Sequence, residues 1–182
     1  MQPAWICAAL FVNALFILRR FQGPYNGGSD LLSLLLITAL FAVHLMPSAR
    51  WQEYVFGYLA LQVIFSYFKS GLSKVVHADW RTGRALRDVF LYSVYPVSEA
   101  TRGWTHWPRL LCAMSWAVIL LELLFPLALV SQPVLIAALA AMLLFHLANF
   151  ALFGFNRFVW VWVAAYPSLI WLQARLEPFW QG

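Results

Sequence analysis

A few polar side chains lie in or beside long apolar runs, where charge is costly and tends to mark function. Lys69 and Lys74 are the only lysines in the chain. A lysine held in a poorly hydrated pocket favours its neutral amine, which can act as a base where an arginine cannot. A lysine at a helix end can instead extend its charge to the membrane surface. Both interpretations of Lys74 are open at this point.

Three further polar residues could take part in the same chemistry. Glu122 is the only acid well inside an apolar run, so it needs a proton, a hydrogen-bond partner or a cation. His146 and Asn149 are spaced i, i+3 and share one helical face, so His146 could shuttle protons or hold a ligand oxygen while Asn149 orients it. Glu122 and His146 could equally form hydrogen bonds between helices. For His44, near the end of another run, a structural or interfacial role is expected.

Metal and nucleotide chemistry have little support in the sequence. His77, Asp79 and His106 offer ligand side chains, but their spacing matches no known metal cage. Cys7 and Cys112 lie in apolar runs and form neither a CxxC motif nor a disulfide framework. Glycine-rich phosphate loops and nucleophile-elbow motifs are not found. We therefore expect no metal site.

The composition of the chain indicates which class of protein it belongs to. Of 182 residues, 63% are apolar and 10% are charged, whereas a soluble domain carries roughly 25% charged residues. A water-soluble globule is excluded, and the high aromatic content excludes a disordered chain. The net charge of +5 comes mostly from arginines in loops rather than from a dense basic face. We expect membrane lipid as a partner, and no nucleic acid.

The fold class predicted is all-α, a polytopic membrane helix bundle that forms one integral membrane domain over residues 1–182. Arg81, Arg84 and Arg87 share one face of the segment 79–95 and apolar residues another, which predicts an additional helix lying in the interface. Six apolar runs predict about six transmembrane helices. They cover residues 3–18, 31–46, 54–73, 110–131, 134–153 and 158–176.

Charge distribution predicts the topology of this multi-pass protein. With both termini outside, nine lysines and arginines fall in inside loops and two, Arg50 and Arg175, fall outside. That bias follows the positive-inside rule and suits an inner or plasma membrane. Residues 1–5 contain no lysine or arginine, and no small-residue cleavage pattern follows the first apolar run. We therefore expect a retained first span rather than a signal peptide.

Three segments, in order along the chain, resemble a known family. Residues 67–86 resemble the Y-F-x-x-G-x-x-K…A-D-W-x-x-G segment of the vitamin K-dependent gamma-carboxylase-like family. The membrane module of that family is also called the horizontally transferred transmembrane (HTTM) domain. Residues 145–149 resemble its F-H-x-x-N segment, and Glu122 fits its acidic position in the preceding span. The resemblance covers spans three to six.

The resemblance implies quinol chemistry. In the carboxylase, a vitamin K hydroquinone is deprotonated and reacts with oxygen, and the strong base that results removes a glutamate proton before CO2 adds. By this resemblance Lys74 is the base and His146 the second catalytic residue. The cofactor implied is a quinone or a vitamin K-like hydroquinone. The residues expected to contact it are Glu122, Asn149, Tyr67 and Phe145.

The chain also departs from the family pattern. Ser73 stands where the family has the first of two lysines, and one extra residue separates Lys74 from Asp79. The large extramembrane part that binds peptide in full carboxylases has no counterpart in this sequence. We therefore expect a quinol pocket more than glutamate carboxylation, and leave a carboxylase- or epoxidase-like activity open. The alternative function is a non-catalytic transmembrane subunit of a larger membrane complex.

Overall fold

The computed structural model describes residues 4–20, 27–93 and 97–180. These residues form helices and connecting turns with no strand among them, which confirms the all-α prediction. Residue 3 of the first predicted span and residues 94–95 of the predicted interfacial segment lie outside the described residues. The helices are α1 (Ala4–Arg20), α2 (Gly27–Leu45), α3 (Ala49–Val76), α4 (Ala78–Arg81), α5 (Arg84–Tyr92), α6 (Glu99–Arg102), α7 (Pro108–Leu123), α8 (Gln132–Phe153) and α9 (Asn156–Trp180).

Three described helices are long and apolar enough to span a membrane, namely α2 from Gly28, α3 and α8. The counterparts of predicted spans one and four, α1 and α7, are shorter, with 17 and 16 residues. Helix α9 has 25 residues, with Pro167 and Pro178 in its interior. The structure therefore supports a membrane helix bundle, while the number of spans stays a prediction.

Large apolar side chains cover the outside of the bundle. Examples are Phe16, Leu127, Leu144 and Trp160, each at least two thirds exposed. Soluble monomers rarely expose apolar surface on this scale, whereas in a bilayer such side chains contact lipid tails. The main core lies between α2, α3, α8, α9 and the 3-10 helix Phe125–Val130.

The fourth predicted span is not one continuous helix. Helix α7 ends at Leu123, and the 3-10 helix Phe125–Val130 follows it before α8 begins at Gln132. Pro126 explains the break, since proline has no backbone N–H to donate and its ring clashes with the carbonyl four residues earlier. That carbonyl belongs to Glu122, which therefore lies in the last turn of α7 rather than in mid-helix. Whether residues 110–131 cross the membrane as one span stays a prediction.

The predicted interfacial segment forms two short helices rather than one. Helices α4 and α5 meet at Gly83, which has a left-handed backbone with φ of 77°. The apolar face of α5 packs through Phe90, which is fully buried and stacks on Phe153 with ring centroids 5.6 Å apart. Arg84 and Arg87 are exposed. The segment thus packs against the end of the bundle through one face.

Candidate functional site

A cavity of about 590 Å³ opens between α2, α3, α7, α8 and α9. Its walls combine apolar side chains from α2 with aromatic rings from α3, α8 and α9. All six residues predicted from the sequence line it. They are Tyr67, Lys74, Glu122, Phe145, His146 and Asn149.

Lys74 and Glu122 form an ion pair at one part of the cavity wall. Nζ of Lys74 donates to Oε2 of Glu122 at 2.6 Å and to Oγ of Ser70, one turn earlier in α3, also at 2.6 Å. The Lys74 side chain is 15% exposed and that of Glu122 is 6% exposed. Nζ also lies 5.3 Å from the ring centroid of Trp80. A carboxylate, a hydroxyl and an aromatic face therefore compensate the ammonium charge.

A close approach of two backbones makes this ion pair possible. A Cβ atom on Gly71 would lie 2.5 Å from the backbone nitrogen of Leu123. Only glycine therefore allows α3 and α7 to approach this closely, with Lys74 one turn after Gly71 and Glu122 beside Leu123. Helix α3 continues to Val76, beyond the predicted end at residue 73, and this extension carries Lys74 into the bundle.

The chain after α3 continues along α7 towards the N-terminal end of that helix. Oγ of Ser115 donates to the carbonyl of Trp80, and the Cys112 thiol donates to the carbonyl of Arg81. Since Gly71 contacts Leu123, successive residues of this segment meet successively earlier residues of α7. Helix α4 therefore packs antiparallel to α7 and holds the Trp80 ring near Lys74.

Tyr67 and His146 form the second polar pair of the cavity. The Tyr67 hydroxyl lies 3.0 Å from Nε2 of His146, and both side chains are buried. Nδ1 of His146 is also buried, and no described residue hydrogen-bonds to it. Hydrogen bonds between helices were an alternative role for both His146 and Glu122. In the structure each residue has another partner, Tyr67 for His146 and Lys74 for Glu122.

Aromatic rings pack around the Tyr67–His146 pair. Trp162 stacks on Tyr67 with centroids 4.3 Å apart and on His146 with centroids 5.2 Å apart. The Phe125 ring packs tilted against Tyr67, with centroids 4.4 Å apart. Such packing fixes the orientation of both polar side chains and gives the cavity an apolar wall suited to a flat ring.

Some residues of the site were missed by sequence reasoning. Ser70 precedes Lys74 by four residues, so helical spacing alone could have indicated the contact. Trp162 follows Phe158 at i, i+4, a spacing that places both on one face of α9, and Phe155 lies just before that helix begins. Nothing in the local sequence indicates the contact of Trp80 with Lys74, because that contact depends on how α4 packs against α7.

Other candidates from the sequence lie elsewhere. His44 is in the last turn of α2, nine residues or about 14 Å along the helix from the cavity residue Leu35. Asp79 lies 3.6 Å from Arg84 on the exposed surface. No cluster of three metal-ligating side chains occurs in the described part of the chain, which includes His77 and His106.

Comparison with known proteins assigns the chain to a family. No curated protein and no solved structure matches it. The family model of the HTTM domain matches residues 38–173, a range that includes α3, α7, α8 and all six residues predicted for the site. The match covers most of the chain and agrees with the resemblance seen in the sequence. The chain therefore belongs to the HTTM domain family.

Proposed function

We propose that this membrane protein binds a quinone or quinol in the cavity between α2, α3, α7, α8 and α9. One observation carries the proposal: two polar pairs, Lys74–Glu122 and Tyr67–His146, lie in the wall of one aromatic cavity. Ligand pockets typically combine apolar walls with a few polar groups that fix orientation. Family membership supports the same ligand class, because the related carboxylases use a vitamin K hydroquinone.

The proposed binding mode divides the ligand between the two kinds of wall. The aromatic side chains, among them Phe145, Phe158 and Trp162, would pack against the quinone ring and the start of its isoprenoid tail. Asn149, which lines the cavity, would donate a hydrogen bond from its side-chain amide to a ring oxygen.

Lys74 is the proposed base. A bound quinol would supply an acidic phenolic hydroxyl. Glu122 can take a proton from Nζ of Lys74 along the 2.6 Å hydrogen bond, which leaves a neutral amine. The amine then accepts the phenolic proton and returns to an ammonium, now beside a protonated Glu122. The Ser70 hydroxyl holds Nζ in place throughout this exchange.

We also propose that six helices cross the membrane, with both termini outside. Helices α2, α3 and α8 meet the length and hydropathy expected of spans. Helix α7 together with the 3-10 helix Phe125–Val130, helix α1 and helix α9 would supply the other three. Helix α3, with 28 residues, is about 42 Å long. It therefore exceeds the hydrocarbon thickness of about 30 Å, so one of its ends extends into the headgroup region.

Fluorescence quenching tests the binding proposal. Detergent-purified protein is titrated with a short-chain naphthoquinone, whose ring quenches nearby tryptophans, and saturable quenching is expected. In Trp162→Phe most of the saturable quenching should disappear, because Trp162 lines the cavity. Trp160→Phe is the matched control on the same helix, since Trp160 is 68% exposed and faces outward. Non-saturable quenching, or equal loss in both variants, would contradict the proposal.

Oxygen consumption tests the proposed base separately. If the protein oxidises a hydroquinone, Lys74→Ala should abolish the quinol-dependent oxygen uptake while quenching by the oxidised ring persists. Lys69→Ala is the control, because Lys69 is exposed on the same helix. Unchanged uptake in Lys74→Ala would show that this lysine is not the base. A stoichiometric protein partner together with no quinone response would support the alternative, a membrane complex subunit.

A further inference from the structure

A second cavity, of about 520 Å³, lies between α1 and α2. It shares no lining residue with the first cavity. Helix α2 separates the two, because its residues Leu34 and Ile37 line the second cavity while Leu31 and Leu35 line the first. The second cavity is therefore a separate site.

The lining of this cavity is mostly apolar, with Asn13 and Ser33 as polar exceptions, and one end of it is charged. Leu10 and Ile17 of α1 form one wall, and both are partly exposed on the outer surface of the bundle. Asp30 of α2 and Arg157 of α9 form the charged end. Leu10 and Ile17 are seven residues apart, so the apolar wall is about 11 Å long. An elongated apolar slot with a charged end fits an amphiphile.

The charged end favours an anionic ligand. Nη1 of Arg157 lies 2.8 Å from Oδ1 of Asp30, while the Arg157 side chain remains 62% exposed. A guanidinium has five N–H donors, so this single contact leaves donors that can bind a phosphate. Arg19 and Arg20 end α1 at the same end of the antiparallel α1–α2 pair. Three arginines and one aspartate thus give this end a net positive charge.

We propose that this cavity is a binding site for an anionic phospholipid of the surrounding bilayer. One acyl chain would lie in the slot between α1 and α2, and the headgroup phosphate would accept hydrogen bonds from Arg157. Asp30 pairs with the same guanidinium and offsets part of its charge. The proposal is independent of quinone binding, because the two cavities have no residue in common.

Lipid retention tests this site. The protein is reconstituted in vesicles of equal parts phosphatidylglycerol and phosphatidylcholine, extracted in mild detergent, and its bound lipids are counted by native mass spectrometry. The wild-type protein should retain phosphatidylglycerol in preference to phosphatidylcholine. Arg157→Gln should lower retained phosphatidylglycerol about fivefold, the effect expected of one arginine at an anionic surface. Arg175→Gln is the matched control, since Arg175 is also an exposed arginine on α9 paired with an acid, Glu53.

Two further variants separate a lipid site from a structural ion pair. Asp30→Asn breaks the same ion pair but keeps the guanidinium, so lipid retention should be maintained or increased. Ala14→Phe should fill the slot and abolish the preference, while Ala9→Phe, on the exposed surface of α1, should not. Equal retention of the two lipids by the wild type would overturn the proposal. Equal losses in Arg157→Gln and Arg175→Gln, or a loss in Asp30→Asn, would also overturn it.

Discussion

Nζ of Lys74 lies 2.6 Å from Oε2 of Glu122 although 48 positions separate the two residues in the chain. The contact exists because α3 continues to Val76 and because Gly71 has no side chain. The backbone of α3 can therefore lie against that of Leu123 in α7. Each of these charged side chains alone would cost free energy in an apolar bundle, and in the cavity wall each compensates the charge of the other. This pairing makes both the stability and the proposed proton exchange depend on the same two side chains.

Replacing Glu122 with glutamine should destabilise the protein strongly. Removing one partner of a buried ion pair leaves the other charge uncompensated and typically costs about 3–5 kcal/mol. The double variant Lys74→Met/Glu122→Leu should recover much of that loss, because no charge then remains buried. Unfolding in detergent, followed by tryptophan fluorescence, measures both effects. Glu53→Gln, which breaks the exposed pair with Arg175, is the control and should change the stability little. Equal effects of the two single variants would contradict this account.

Gly71→Ala should separate α3 from α7. The new Cβ would meet backbone atoms of Leu123, which cannot rotate away as a side chain could. Overpacking of this kind costs about 1–3 kcal/mol of unfolding free energy. Gly103→Ala should be neutral or slightly stabilising, because nothing lies within 4 Å of a Cβ at that position. Thermal melting of both variants checks the prediction, and a Gly71→Ala protein as stable as the wild type would show that the approach of the two helices is not tight.

Tyr67→Phe should keep the fold and loosen the His146 ring. The aromatic stacking of position 67 on Trp162 is preserved, but Nε2 of His146 loses its only described partner. Leaving a buried polar atom unpaired costs about 1–3 kcal/mol. Tyr54→Phe, at a position 59% exposed on the same helix, should have no measurable effect. Denaturant unfolding compares the two variants, and equal stabilities would mean that the hydroxyl contributes nothing at this position.

Topology can be tested with single cysteines in a chain whose Cys7 and Cys112 are replaced by serine. Glu99 suits labelling because its side chain is 93% exposed. The proposed topology places it on the cytoplasmic side, so Glu99→Cys should be labelled only after that side is made accessible. Ser48→Cys, in the exposed turn before α3, should be labelled from outside. Labelling of position 99 from outside would contradict the proposed orientation.

The apolar runs and the polar residues inside them were readable from the sequence, because each depends on local composition. Lys74, Glu122, His146 and Asn149 stood out as polar residues in or beside apolar runs, while Tyr67 and Phe145 were implied by the family resemblance. All six line one cavity. What the sequence did not indicate depends on contacts between distant segments. The break after Leu123, the close approach at Gly71 and the position of Trp80 beside Lys74 each require a known packing of α3 and α4 against α7. Of these three features, only the break after Leu123 has a local signal in the sequence, namely Pro126.

The most direct test of quinone binding is the lipid extract of the protein purified in mild detergent from quinone-containing membranes. We predict about one quinone per chain by mass spectrometry, the content expected of a single cavity of this size. Ser66→Trp, at a residue that lines the cavity, should remove the quinone. Ser73→Trp, on the exposed surface of the same helix, should retain it. A wild-type protein without quinone, or a Ser66→Trp protein that retains as much as Ser73→Trp, would contradict the assignment of this cavity.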